Sequence, residues 1–176
     1  MDASHFLYGG YAGRFWSKDR IFVRTPPGRQ RFNVLGALNA ITHEVVKITT
    51  VNMVDSWSMN DLFSKLRERH GEERVKVILD NAGYQRGYVT GYAANFKKIE
   101  LLFLPPYSPQ LNLIERFWKF VKSKCVNGIY LETFTGFCDV IEKCVTECHI
   151  KWKNELQSLL KWNFQNFSKI KKLCAL

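Results

Sequence analysis

The sequence predicts an α/β fold, a mixed sheet with helices on its faces, and three observations carry that prediction. Two apolar, β-prone runs at 31–40 and 44–51 are separated only by Ile41-Thr42-His43, which is the pattern of an antiparallel hairpin. Two further apolar runs, at 75–79 and 99–104, alternate with helical stretches, so a crossover connects them. Helical periodicity then continues to the C-terminus, at 134–150 and 155–167.

Between the hairpin and the second pair of strands, Ser58-Met-Asn-Asp61 with Leu62, Phe63 and Leu66 reads as a capped amphipathic helix that ends before Gly71. Val75, Val77, Ile78 and Leu79 form a β-branched-rich run of buried-strand type. Asp80 follows at its carboxyl end, where open α/β sheets place their ligands. A helix over about 87–98 leads to the run at 99–104, which Pro105-Pro106 stops because proline cannot continue a hydrogen-bond ladder. After Ser108-Pro109, apolar residues recur at Leu111, Ile114, Trp118, Val121 and Cys125, one face of an amphipathic helix. Glu115 lies beside that stripe in the first turns of the helix and can point back to the sheet edge that holds Asp80. The sequence contains no internal repeat, low-complexity segment or internal linker, so residues 1–176 are expected to form one domain.

Two carboxylates from separate elements that converge on one point suit magnesium, a hard cation that binds a few carboxylates together with substrate phosphate. The chemistry implied is phosphodiester chemistry. Lys119 and Lys122 fall four and seven residues after Glu115, on its helical face, where they can meet phosphates. A plainer reading stands beside this one: Glu115 and Lys119 as an exposed helical pair, and Asp80-Asn81 as a turn.

The runs Val77-Ile-Leu-Asp80-Asn-Ala82 and Leu102-Phe-Leu-Pro-Pro-Tyr-Ser-Pro-Gln-Leu-Asn-Leu-Ile-Glu115-Arg-Phe-Trp118 resemble the second and third blocks of prokaryotic insertion-sequence transposases of the mariner-related DDE superfamily. Thirty-four residues separate Asp80 from Glu115, the separation that group favours. Asp2-Ala-Ser-His5-Phe6, followed by Gly28-Arg-Gln-Arg31-Phe-Asn-Val-Leu-Gly36, resembles the first catalytic strand end and the hairpin after it. The resemblance implies a ribonuclease-H-like mixed sheet and a metal-binding triad of Asp2, Asp80 and Glu115. These acids would hold two magnesium or manganese ions for strand cleavage and strand transfer during transposition. Double-stranded DNA, both transposon ends and target, is the implied partner of a homodimer, with Arg29, Arg31, Arg86, Arg116, Lys119 and Lys122 as its contacts. Gln85 stands where many relatives carry a histidine five residues after the second aspartate. In the family a strand body precedes the first aspartate and a helix-turn-helix region lies further upstream. Here one residue precedes Asp2, so the first strand is expected to be truncated, the helix-turn-helix region absent and Asp2 frayed. Two readings follow: an active transposase core, or an inactive remnant that only binds nucleic acid.

Composition agrees with such a partner. A hydrophobic content of 46%, with 14% aromatic residues, excludes wholesale disorder, and 26 basic against 16 acidic residues give +10, the footprint of a phosphate-binding surface. Six basic residues between Arg14 and Arg31 face Asp19 alone, in a segment read as a loop with a short strand at 20–24. The six lysines from Lys151 onward read chiefly as a solvated tail. Five cysteines without an apolar leader or a membrane-length apolar run point to a reduced, cytoplasmic, soluble protein with no disulfide framework, and the resemblance implies that it is nucleoid-associated. Phe137, Ile141, Cys144 and Cys148 share one helical period, so these thiols are expected in a core and not on zinc. His5, near Asp2, is read either as a substrate contact or, in preference, as making a local structural hydrogen bond.

Overall fold

The hairpin and the strand before it build a three-stranded sheet. In the computed structural model, which describes residues 1–9, 18–19, 22, 24, 26, 30–106 and 108–163, β1 (Asp2–Leu7), β2 (Arg31–Leu38) and β3 (Val45–Thr50) pair antiparallel in the order β1-β2-β3. The turn falls where the sequence places it. Asn39 Oδ1 accepts from the Ile41 and Thr42 amides at 2.9 and 3.0 Å, and His43 takes φ +62°. The register sets Asp2 opposite Gly36. A second, two-stranded sheet is parallel: β4 (Val75–Leu79) pairs with β5 (Ile99–Phe103) through a crossover that contains α2 (Tyr88–Phe96). The two sheets meet at Met1, whose main-chain nitrogen donates to the Ile78 carbonyl at 2.9 Å.

α1 (Ser56–His70) begins earlier than the sequence suggests. Asp55 is its N-cap and Ser58 the third helical residue of a reciprocal capping box, so Ser58 is part of the cap without being its first residue. Gly71, at φ +54°, ends the helix as expected. α3 (Leu113–Cys125) and α4 (Phe134–Lys151) follow the predicted periodicity, and Leu111 belongs to a short 3-10 turn ahead of α3. α5 runs Lys153–Leu159, shorter than the predicted 155–167, of which residues 164–167 lie outside the described residues. The strand expected at 20–24 falls mostly outside them as well.

β2 is buried on both faces, and it divides the core. Phe32 and Val34 join Phe6 and Tyr8 against α3, α4 and α5, while Leu35 and Ala37 join Met1 against α1, α2, β4 and β5. The predicted cysteine face is buried too, but one expectation fails. Cys125 and Cys144 form a disulfide where none was expected, because packing of α3 on α4 brings their Cα atoms to 6.5 Å, a separation within bridging range. Cys138 and Cys148 are free, and burial pushes their thiols up to about 11 and about 12. Among the described residues no helix is long and apolar enough to cross a membrane.

Candidate active site

Three carboxylates meet where the two sheets adjoin. Asp2 is the first residue of β1, Asp80 follows the last residue of β4, and Glu115 lies in the first turn of α3. One oxygen from each lies within 4.8 Å of the others, and this is the cluster among the described residues able to hold a metal ion. The expected fraying of Asp2 does not occur. Asp2 is 9% exposed, paired with Gly36 across β1-β2, and the residue before it is bonded to Ile78 of β4 and, through its carbonyl, to Asn112. Pairing on both sides supplies the restraint that the sequence did not show.

Local chemistry fixes the other two acids. Asn81 adopts φ +78°, a left-handed conformation that asparagine tolerates better than most side chains. Its side chain donates to the Leu104 carbonyl, which ties the ends of β4 and β5 together, and its Oδ1 accepts from Arg86 Nε at 2.8 Å. Gln85, 1% exposed, accepts from the Asn81 and Ala82 amides at 3.0 and 3.1 Å, so the loop that bears Asp80 is clamped by a buried side chain. Its Nε2 makes no hydrogen bond of good geometry, although it lies near enough to the Tyr84 phenol to favour the ionised form slightly. Asn112, 4% exposed at the N-cap of α3, donates from Nδ2 to the Met1 carbonyl at 3.3 Å. That contact holds the start of α3, and with it Glu115, against the strand that carries Asp2.

The electrostatics are those of crowded like charges. Burial first, then Asp80 and Glu115, raise the Asp2 carboxyl from its usual range to about 7. Tyr84 is pushed up to about 12, by burial and then by Asp2, so its phenol stays protonated beside the acids. A cation would relieve this crowding, and an all-oxygen donor set fits magnesium or manganese.

The basic residues divide. Lys122 places its ammonium 5.3 Å over the Phe6 ring, and Lys119 is exposed on the same helix. Arg86 sits on Asn81 and 4.8 Å over Phe103, and Arg31 is exposed at the start of β2. Arg116 instead donates to the carbonyls of Leu159, Lys161 and Asn163, closing the C-terminal end of α5. The expectation of a DNA contact there meets an internal task, because the guanidinium satisfies carbonyls at the end of α5 and in the segment that follows it. Arg29 lies outside the described residues. His5 makes the expected structural bond, Nδ1 to Asn33 Oδ1 at 2.6 Å. Sequence reasoning missed Asn112, Tyr84 and the clamp formed by Gln85. An asparagine just ahead of an apolar helical stripe was a readable signal for the first, whereas nothing local marks the other two.

Comparison with known proteins bears on the family and the fold. A fragment of 68 residues is 35% identical to the uncharacterized protein y4pE/y4sA of Sinorhizobium fredii (strain NBRC 101917 / NGR234), covering 39% of this chain and 46% of that protein. The fold is similar to that of the Mos1 transposase in its paired-end complex with the left transposon end, with a TM-score of 0.58 and 12% identity over 93% of this chain and 55% of that one. The Mos1 mariner paired end complex with Mn gives a TM-score of 0.57 at 12% identity, over 92% and 55%. This chain therefore spans about half the length of the relatives it matches, and at such identity the likeness shows the ribonuclease-H-like fold. The model of the DDE superfamily endonuclease family matches residues 1–137, and the chain belongs to that family.

Proposed function

We propose that this chain is the catalytic domain of a divalent-metal-dependent DNA transposase, in which Asp2, Asp80 and Glu115 hold two magnesium or manganese ions. The observation that carries the reading is the convergence of three carboxylates, from two strand ends and one helix, within 4.8 Å. Bound there, the ions would activate water or a 3′-hydroxyl and stabilise the leaving oxygen. The protein's own residues prepare the site. Asp80 and Glu115 supply anionic oxygens, Asp2 releases a proton near neutral pH to complete the set, and the Tyr84 phenol can donate a hydrogen bond. Gln85 and Asn112 keep Asp80 and Glu115 from drifting apart.

The substrate in this reading is duplex DNA, both transposon ends and target, handled by a homodimer in the cytoplasm on nucleoid DNA. Lys119, Lys122, Arg86, Arg31 and Arg29 would contact phosphates, positioning the duplex without reading its sequence. A seated Asp2 supports the active reading over the inactive remnant.

Manganese titration followed by thermal unfolding tests the metal site. Wild type should gain stability, Asp80→Asn should lose most of that gain, and wild type alone should nick or cleave duplex DNA in manganese. Equal stabilisation of the two proteins would refute the assignment.

A further inference from the structure

We propose that the exposed face of α2, built from Tyr88, Tyr92 and Phe96, is a stacking platform for the bases of single-stranded nucleic acid beside the carboxylate cluster. Thr90, Ala93 and Ala94 turn the opposite face of the helix into the core. The three rings are 86%, 62% and 76% exposed. They stand four residues apart in a ladder, with centroids 6.3 and 6.4 Å apart and ring planes inclined by only 23° and 13°. Each ring therefore restrains its neighbour, and the helix presents aromatic surface already ordered for a ligand.

Charge and area identify the ligand. Residues 81–99 contain Arg86, Lys97 and Lys98 and no acidic residue. Lys97 lies 5.9 Å over the Phe96 ring at one end of the ladder, and Arg86 precedes its first ring by two residues. Lys98 pairs with Glu72 at 3.5 Å, so Lys97 and Arg86 are the cations offered to a phosphate backbone. The exposed area of the three rings is about 450 Å², while a standard protein interface takes about 800 Å² per partner. That is too little for a stable copy-to-copy contact and enough for two or three stacked bases. The first turn of α2 is fixed to the loop that carries Asp80. The Tyr84 carbonyl accepts from Thr90 Oγ1 at 2.7 Å and from Ser56 Oγ at 3.1 Å. An intact duplex hides the faces of its bases, so only an unpaired strand can use the ladder. The location relies on the proposed DNA-cleaving site, but the binding does not rely on cleavage.

The test is fluorescence anisotropy of a labelled 20-mer of thymidylate, and of a labelled duplex of the same length, in EDTA, so that a failure of catalysis cannot enter. Replacing Tyr88, Tyr92 and Phe96 by alanine should weaken single-strand binding at least about tenfold and leave duplex binding within about twofold. The leucine triple should behave as the alanine triple does, and Tyr92→Trp should retain affinity where Tyr92→Ala loses it, a comparison that decides the matter if either triple fails to fold. Single-strand binding by the leucine triple equal to wild type, or equal losses for single strand and duplex, would overturn the proposal. So would a concentration-dependent dimer in sedimentation that the alanine triple abolishes.

Discussion

Replacing Gly36 by alanine should damage the fold and the carboxylate cluster together. Gly36 sits opposite Asp2 in the β1-β2 register, beneath the indole of Trp118. A Cβ built there lies 2.9 Å from Cη2 and from Cζ2 of Trp118, and 3.1 Å from Cγ1 of Val45. Ordinary carbon contacts begin at about 3.5 Å, so the ring must withdraw by roughly half an ångström or more. It has little room. Trp118 is 3% exposed, packed edge-on against Phe6 and Phe117. Overpacking of this kind costs about 1–3 kcal/mol. Trp118 is also one turn from Glu115 on α3, and functional constellations tolerate displacements of only about 0.5 Å. Urea unfolding should therefore show the loss of about 1–3 kcal/mol, and manganese titration should show affinity down about tenfold. Trp118→Phe removes the two clashing atoms, and because Trp118 Nε1 has no hydrogen-bond partner among the described residues, it orphans nothing. The double variant should be more stable than the sum of the singles by about 1 kcal/mol or more. Strict additivity, or a Gly36→Ala protein with wild-type stability and metal affinity, would refute the reasoning.

The remaining predictions concern protons, the clamp and phosphates. Because the Asp2 carboxyl is raised to about 7 in the fold, the folded chain holds a proton that the unfolded chain releases. Without metal, stability should thus fall as pH rises from about 4 to about 7, the first value being that of an unperturbed aspartate. Manganese affinity should rise over the same interval and level off above it, and a pH-independent affinity in calorimetric titrations would contradict the assignment. Gln85→Leu leaves the Asn81 amide without its acceptor and the Ala82 amide with only the longer bond to Asp80 Oδ1 at 3.4 Å. It should cost about 1–3 kcal/mol in thermal unfolding and weaken manganese binding, whereas wild-type behaviour would show that the clamp is dispensable. Duplex affinity should fall steeply with salt and vary little with sequence. Lys119→Ala with Lys122→Ala should lower the slope of log affinity against log salt by about 1–2, and an unchanged slope would place the duplex elsewhere.

Much of this protein is legible in one dimension because its signals are local. The β-branched run before Asp80, the prolines that stop β5 and the spacing of three and four along α3 each depend on residues a few positions apart, and each element forms where those patterns place it. Two of the three acids could be located from the same patterns, since a strand end and a helix's first turn are local features. What tertiary structure alone decided are the contacts between distant segments. Asp2 looks frayed in the sequence because its restraints come from Gly36, Ile78 and Asn112, up to about a hundred residues away. Arg116 reads as a phosphate contact until the segment after α5 arrives to take its guanidinium, and Cys125 and Cys144 read as core thiols until two helices pack close enough to join them. Periodicity shows which face of an element is buried, but not which partner buries it, and the partner sets the position of a carboxylate to the ångström that metal binding demands.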